Sequence, residues 1–126
     1  MVGFVIVSHS AKLAEGVADL ARMMARSCPI AAAGGLEDGS FGTSFEKISS
    51  AVDQIYSDDG VILLMDMGSA VMTAEMVLEA MDGRKLVLAD CPIVEGAVTG
   101  TVSAEAGASL EDIIAELEQV GAQKKL

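Results

Sequence analysis

The stretch Val61-Ile62-Leu63-Leu64-Met65-Asp66-Met67-Gly68-Ser69 decides the fold. Five apolar residues run without a break, as expected of a strand buried on both faces. The run stops at a carboxylate, and Gly68-Ser69 then opens a methionine-rich helical segment that reaches about Met81 and closes at Asp82-Gly83. A fully buried strand leading straight into a helix is half of a βαβ unit. The N-terminus repeats the pattern. Val2–Val7 is apolar and rich in β-branched residues, and it reaches Ser8-His9-Ser10. Helical spacing follows at Leu13, Ala14, Val17, Ala18, Leu20, Ala21 and Met24, with Lys12, Glu15, Asp19, Arg22 and Arg26 on the complementary face.

The rest of the chain extends this alternation. Ile30–Ala33, after Pro29, is a short second strand, and a glycine-rich loop runs from Gly34 to Gly42. Thr43-Ser44-Phe45-Glu46 has capping-box spacing, with Thr43 as the cap of a helix that carries Phe45, Ile48, Val52 and Ile55 on one face. After a turn at Ser57-Asp58-Asp59-Gly60 and the Val61–Met65 strand, Lys85–Asp90 gives a fourth strand that ends at Cys91-Pro92. Val94, Ala97, Val98, Thr101 and Val102 have helical spacing, although Gly96 and Gly100 weaken it and leave a strand over Val98–Val102 as the competitor. Ser109 starts a last amphipathic helix along Leu110, Ile113, Ile114, Leu117 and Val120, which Gly121 is expected to stop.

Such alternation implies right-handed crossovers and an open parallel α/β sheet with helices on both faces, in one domain over residues 1–126. The economical strand order is 2-1-3-4. It makes strands 1 and 3 neighbours whose connections leave in opposite directions, and ligands bind at the carboxyl ends of such a pair. His9 follows strand 1 and Asp66 follows strand 3, so both fall at that switch point.

Composition narrows the function. Of the 126 residues, 52% are apolar and only 3% aromatic, so the core is aliphatic and disorder is excluded. Nineteen acids against eight scattered bases give a net charge of −11, which argues against nucleic-acid binding. The longest strongly apolar run is far shorter than the roughly 20 residues of a membrane span. The apolar N-terminus has no basic flank and reads as a strand, not a signal peptide. Cys28 and Cys91 lie far apart in sequence with no histidine nearby, so they read as reduced core thiols in a cytoplasmic protein, and no metal site is expected.

His9 is the only histidine. An imidazole at a strand end, beside a helix N-terminus and a carboxylate, serves as a general base or as a nucleophile that accepts a group. The hydroxyls of Ser10, Thr43, Ser44 and Ser69, with free helix amides, suit a dianionic phosphoryl group. Asp66, if not simply a helix cap, would take a ring N–H and leave the other nitrogen its lone pair. The alternative for the methionine-rich segment (Met65, Met67, Met72, Met76, Met81) is ordinary core filling. No G-x-S-x-G elbow, P-loop or cluster of metal carboxylates is present. A two-component receiver fails because Ser8-His9-Ser10 stands where its acidic pair would be.

Gly3–Ser10, Gly42-Thr43-Ser44-Phe45, Asp58-Asp59-Gly60-Val61, Asp66-Met67-Gly68-Ser69-Ala70 and Pro92-Ile93-Val94-Glu95-Gly96-Ala97 together carry a resemblance. They resemble, in order and in one register to about residue 107, the phosphotransferase subunits of phosphoenolpyruvate-dependent dihydroxyacetone kinases. Those subunits are similar to mannose-type IIA components of the bacterial sugar phosphotransferase system. The resemblance implies that fold, a three-layer sandwich. It also implies that the phosphocarrier protein HPr phosphorylates His9, with Asp66 orienting the ring. The acceptor would be ADP on the nucleotide-binding kinase subunit, which also carries the magnesium, while a third subunit binds dihydroxyacetone. No cofactor is then expected on this chain. Phe41 and Met67 are the candidate docking residues. A homodimer is expected, although the amphipathic tail does not read as the exchanged strand of mannose-type dimers. Two alternatives stay open, a IIA component serving a sugar transporter and a histidine-phosphorylated regulatory module.

Overall fold

A computed structural model describes all residues, 1–126. Strand β1 (Gly3–Ser8) leads to helix α1 (Ala11–Met24), β2 (Ile30–Gly34) to α2 (Phe45–Ile55), and β3 (Val61–Met65) to α3 (Ser69–Ala80). Strand β4 (Leu86–Ala89) is followed by two helices, α4 (Ile93–Glu105) and α5 (Leu110–Ala122). The strands form one parallel sheet in the order β2-β1-β3-β4, the order expected from the sequence. Val7 of β1 lies opposite Ala33 on one side and Met65 on the other, so the loops after β1 and β3 emerge side by side.

Alternate residues of the strands feed two cores. Phe4, Ile6, Ile62 and Leu64 pack under α1, α4 and α5, whereas Val5, Val7, Val61 and Leu63 pack under α2 and α3. The helices meet the sheet largely through alanines such as Ala14, Ala18, Ala21, Ala74 and Ala97, all fully buried. Small side chains let the layers approach closely, which is how an aromatic-poor sequence fills its interior.

The ambiguous segment is helical throughout, as α4. Its glycines are packing residues. A Cβ on Gly100 would stand 2.7 Å from the Phe4 ring, and one on Gly96 would stand 2.4 Å from Cys91 Sγ. Two other expectations require correction. Helix α5 runs through Gly121 to Ala122, because that glycine lies against the Asp90 carbonyl, 3.0 Å from where a Cβ would be. The cap of α2 is Ser44, not Thr43. Its hydroxyl accepts the Lys47 N–H at 3.1 Å, so the residue three positions on is a lysine and the expected capping box does not form.

The outer edge of β2 is blunted by two cations. Arg22 Nη2 donates to the Ile30 carbonyl at 2.9 Å and Lys47 Nζ to the Gly34 carbonyl at 2.8 Å, at opposite ends of the strand. No helix is long and apolar enough to cross a membrane.

Candidate functional site

At the carboxyl ends of β1 and β3 the backbone brings His9 and Asp66 into contact. Asp66 Oδ1 lies 3.0 Å from His9 Nδ1 and accepts the Met67 N–H at 2.8 Å. Its Oδ2 accepts the Ser8 hydroxyl at 2.8 Å and the His9 backbone N–H at 3.0 Å. Each carboxylate oxygen therefore receives two donors. Burial acts to raise the Asp66 pKa, but the His9 N–H, the Ser8 hydroxyl, the His9 ring and the Met67 N–H together outweigh it and hold it below the usual 3.8. An ionised carboxylate at Oδ1 can only accept, so in the neutral ring Nδ1 carries the proton and Nε2 keeps its lone pair.

That lone pair faces solvent and α3. Ser69 Oγ lies 2.6 Å from Nε2, and with Nδ1 protonated the serine is the donor. Gly68 caps α3 at a φ of +36° and supplies no side-chain acceptor; the Ala70 and Val71 N–H groups donate to the Met67 and Gly68 carbonyls, so the Ser69 N–H is the helix amide left without a partner, on the residue whose hydroxyl meets the ring. Here the glycine is required by its left-handed backbone, because an L side chain rarely adopts that φ. The imidazole is 23% exposed and the carboxylate 12%, so the ring is reachable while its partner is screened.

The remaining sequence candidates are placed differently. Ser10 caps α1, its hydroxyl accepting the Leu13 N–H at 3.2 Å, which leaves its proton free to donate. Ser44 is corrected as a pocket residue. It is buried, accepts from Lys47 and donates to Glu37, so both of its capacities are engaged in the α2 cap. Thr43 turns to α3 instead of the ring, with its hydroxyl 2.9 Å from that of Thr73, which itself donates to the Ser69 carbonyl. These bonds tie the glycine-rich loop to the first turn of α3. A second tie is the Gly42 N–H, which donates to the His9 carbonyl at 2.9 Å.

Apolar side chains are exposed on the segments that flank the ring. Phe41 is 81% exposed and Met67 63%, and Met72 and Met76 on α3 are also exposed. Core filling therefore fails for Met67, Met72 and Met76, and it holds for Met65 and Met81, which pack on the α2–α3 side. Two groups were missed in the sequence, Ser8 and Thr73. Ser8 had a signal, a lone hydroxyl ending an otherwise apolar buried strand, whereas Thr73 looks like any surface residue of a helix. No three His, Cys, Asp or Glu side chains come together as a metal site, and both cysteines are free.

The sequence profile of the family described as "PTS system fructose IIA component" (EIIA-man) matches residues 3–114. The phosphotransferase subunit DhaM of the PTS-dependent dihydroxyacetone kinase of Lactococcus lactis subsp. lactis is 38% identical over 122 residues, covering 97% of this chain and 98% of the relative. The phosphoryl donor subunit DhaM of the PEP-dependent dihydroxyacetone kinase of Escherichia coli K12 is 43% identical over 121 residues and 90% of this chain. The chain spans only about a quarter of that relative, 26%. Among solved structures, a protein described as of unknown function superposes with a TM-score of 0.84 at 28% identity, covering 99% of this chain and 98% of the other. An EIIA phosphotransferase-system component from Streptococcus agalactiae has the same fold, with a TM-score of 0.72 at 12% identity over 97% of this chain and 93% of its own.

Proposed function

The chain belongs to the EIIA-man family of phosphotransferase-system IIA components, and from that membership and its likeness to DhaM subunits we propose that it relays a phosphoryl group through His9 Nε2. The observation that carries the proposal is the Asp66–His9 pair, which leaves an accessible imidazole lone pair beside the N-terminus of α3 and its unpartnered Ser69 N–H.

In this reading the donor is the phosphohistidine of HPr. The Nε2 lone pair attacks its phosphorus, the new N–P bond forms as the donor's N–P bond breaks, and the departing imidazole keeps that electron pair. Nδ1 keeps its proton against Asp66 throughout, so the positive charge on the phosphorylated ring is balanced by a fixed carboxylate. The Ser69 hydroxyl swings off Nε2 and, with its own backbone N–H, takes phosphoryl oxygens, and the Ser10 proton is a further donor. In the second transfer a β-phosphate oxygen of ADP attacks the same phosphorus and His9 regains its lone pair. ADP and its magnesium belong to the nucleotide-binding subunit of a dihydroxyacetone kinase, and dihydroxyacetone to the third subunit, so this chain needs no cofactor. Phe41 and Met67 form the docking rim for both partners, and the protein works as a cytoplasmic homodimer.

The acceptor is tested by charging the protein with phosphoenolpyruvate, enzyme I and HPr, removing the donor, and adding the ADP-loaded kinase subunit. Stoichiometric discharge with ATP formation is expected. Retention of the phosphoryl group, with discharge to a transporter IIB domain instead, would reject the kinase assignment.

A further inference from the structure

We propose that Ser8 is a positioning residue of this site, its hydroxyl fixing the Asp66 carboxylate and, through it, the tautomer of His9. The inference rests on the relay reading for its kinetic consequence, but its structural part stands on the geometry alone.

Ser8 is the last residue of β1 and has no solvent exposure, whereas Ser10 is half-buried and Ser69 exposed. Its surroundings fix the direction of its proton. The Ser10 backbone N–H donates to Ser8 Oγ at 3.0 Å, so the hydroxyl has an N–H on one side and must direct its own proton to Asp66 Oδ2, 2.8 Å away. The result is a chain of donors from the Ser10 amide at the start of α1, through the Ser8 hydroxyl, to the carboxylate, which the His9 ring N–H meets at its other oxygen. Such chains polarise one another in a low-dielectric site.

The other donors to Asp66 are two backbone amides, His9 and Met67, and the ring itself. Ser8 is thus the one donor besides the reacting group that a side chain supplies. Without it, Oδ2 keeps only the His9 amide and the Ser10 N–H loses its acceptor inside the fold. The carboxylate is then held at Oδ2 by one amide alone, and the plane that presents Oδ1 to Nδ1 is less firmly set.

The test is Ser8→Ala beside Ser8→Thr, which restores the hydroxyl. Long-range 1H–15N spectra of the unphosphorylated protein read the Nδ1–H to Nε2–H tautomer ratio of His9. Phosphorylation by charged HPr reads the transfer rate and KM. For Ser8→Ala we expect the tautomer ratio and the rate at saturating donor each to fall about tenfold, equivalent to about 1.4 kcal/mol, with KM unchanged and both restored in Ser8→Thr. If the alanine variant fails to fold, Ser8→Cys keeps the size, weakens the donor, and carries the same expectation. A wild-type tautomer ratio and rate in folded Ser8→Ala or Ser8→Cys would overturn the assignment. Because the ratio is read without phosphorylation, it tests Ser8 even where wild-type protein accepts no phosphoryl group, an outcome that would sink the relay instead.

Discussion

Replacing Asp66 by asparagine changes one atom and inverts the logic of the site. The carboxylate accepts at both oxygens, two donors at each. An asparagine accepts at its oxygen only, and its NH2 must face a pair of donors whichever way it is flipped. Backbone amides cannot reverse, but the imidazole can, whereas an NH2 turned to the Oδ2 side would oppose the His9 N–H and leave the Ser8 proton without its acceptor. The least costly arrangement therefore turns the amide nitrogen to Nδ1, which then becomes the acceptor, and moves the ring proton to Nε2. The Met67 N–H is left facing an N–H, at about 1–3 kcal/mol for the unmade bond. The nucleophilic lone pair is lost from the exposed nitrogen. Recovering the reactive tautomer forfeits the neutral bond from the side-chain amide to Nδ1, about 0.5–1.5 kcal/mol, and leaves the ring N–H facing an N–H at about 1–3 kcal/mol, together a factor of about 10–10³ in rate. Loss of the anion that balances the phosphorylated ring adds to this, and the same substitution in the serine-protease triad costs about 10⁴. Asp66→Asn is therefore expected to accept phosphoryl from charged HPr about 10²–10⁴ times more slowly than wild type. Quenched-flow intact mass, with unfolding curves to confirm the fold, measures it. A folded Asp66→Asn protein within threefold of the wild-type rate would refute the tautomer argument.

Three further outcomes are expected. Gly34→Ala puts a Cβ 2.4 Å from the Ser10 carbonyl oxygen and 2.8 Å from Ala14 Cβ, so the start of α1 must shift; we expect about 1–3 kcal/mol of destabilisation in urea unfolding, and wild-type stability would show that α1 yields freely. Phe41→Ala and Met67→Ala remove exposed side chains and should leave the melting temperature unchanged while raising KM for the phosphoryl donor severalfold, whereas a fall in kcat at constant KM would assign them a role in the chemistry. Burial pushes the Cys28 thiol up to about 12 and Cys91 to about 11, so both should resist iodoacetamide at pH 7.5 in the folded protein and react at once in denaturant, and rapid labelling of either in the native state would contradict the packing.

The positions of His9 and Asp66 were legible because two uninterrupted apolar runs end at them, and parallel neighbours must end together. The strand order followed from the same alternation. Single-residue geometry was less legible. Thr43 and Ser44 are adjacent hydroxyls with equal capping chemistry, and only the backbone entering α2 decides which one reaches the Lys47 amide. Gly96, Gly100 and Gly121 lower helix propensity, yet each lies in a helix where a neighbouring element presses against its backbone, and such tertiary contacts leave no mark on local sequence. Met72 and Met76 resembled core residues because hydrophobicity alone does not distinguish a core from a docking face, whereas Met67 was singled out by its place after Asp66. The clearest missed signal was Ser8, whose hydroxyl ends a strand in which every other residue is apolar or glycine.

The most direct measurement is the mass and nitrogen site of phosphorylation after incubation with phosphoenolpyruvate, enzyme I and HPr. We expect one acid-labile phosphoryl group, absent in His9→Ala, with 15N–31P coupling to Nε2 and a protonated Nδ1. Attachment at Nδ1, or a phosphoryl group that survives in His9→Ala, would contradict the relay through the Asp66-oriented imidazole.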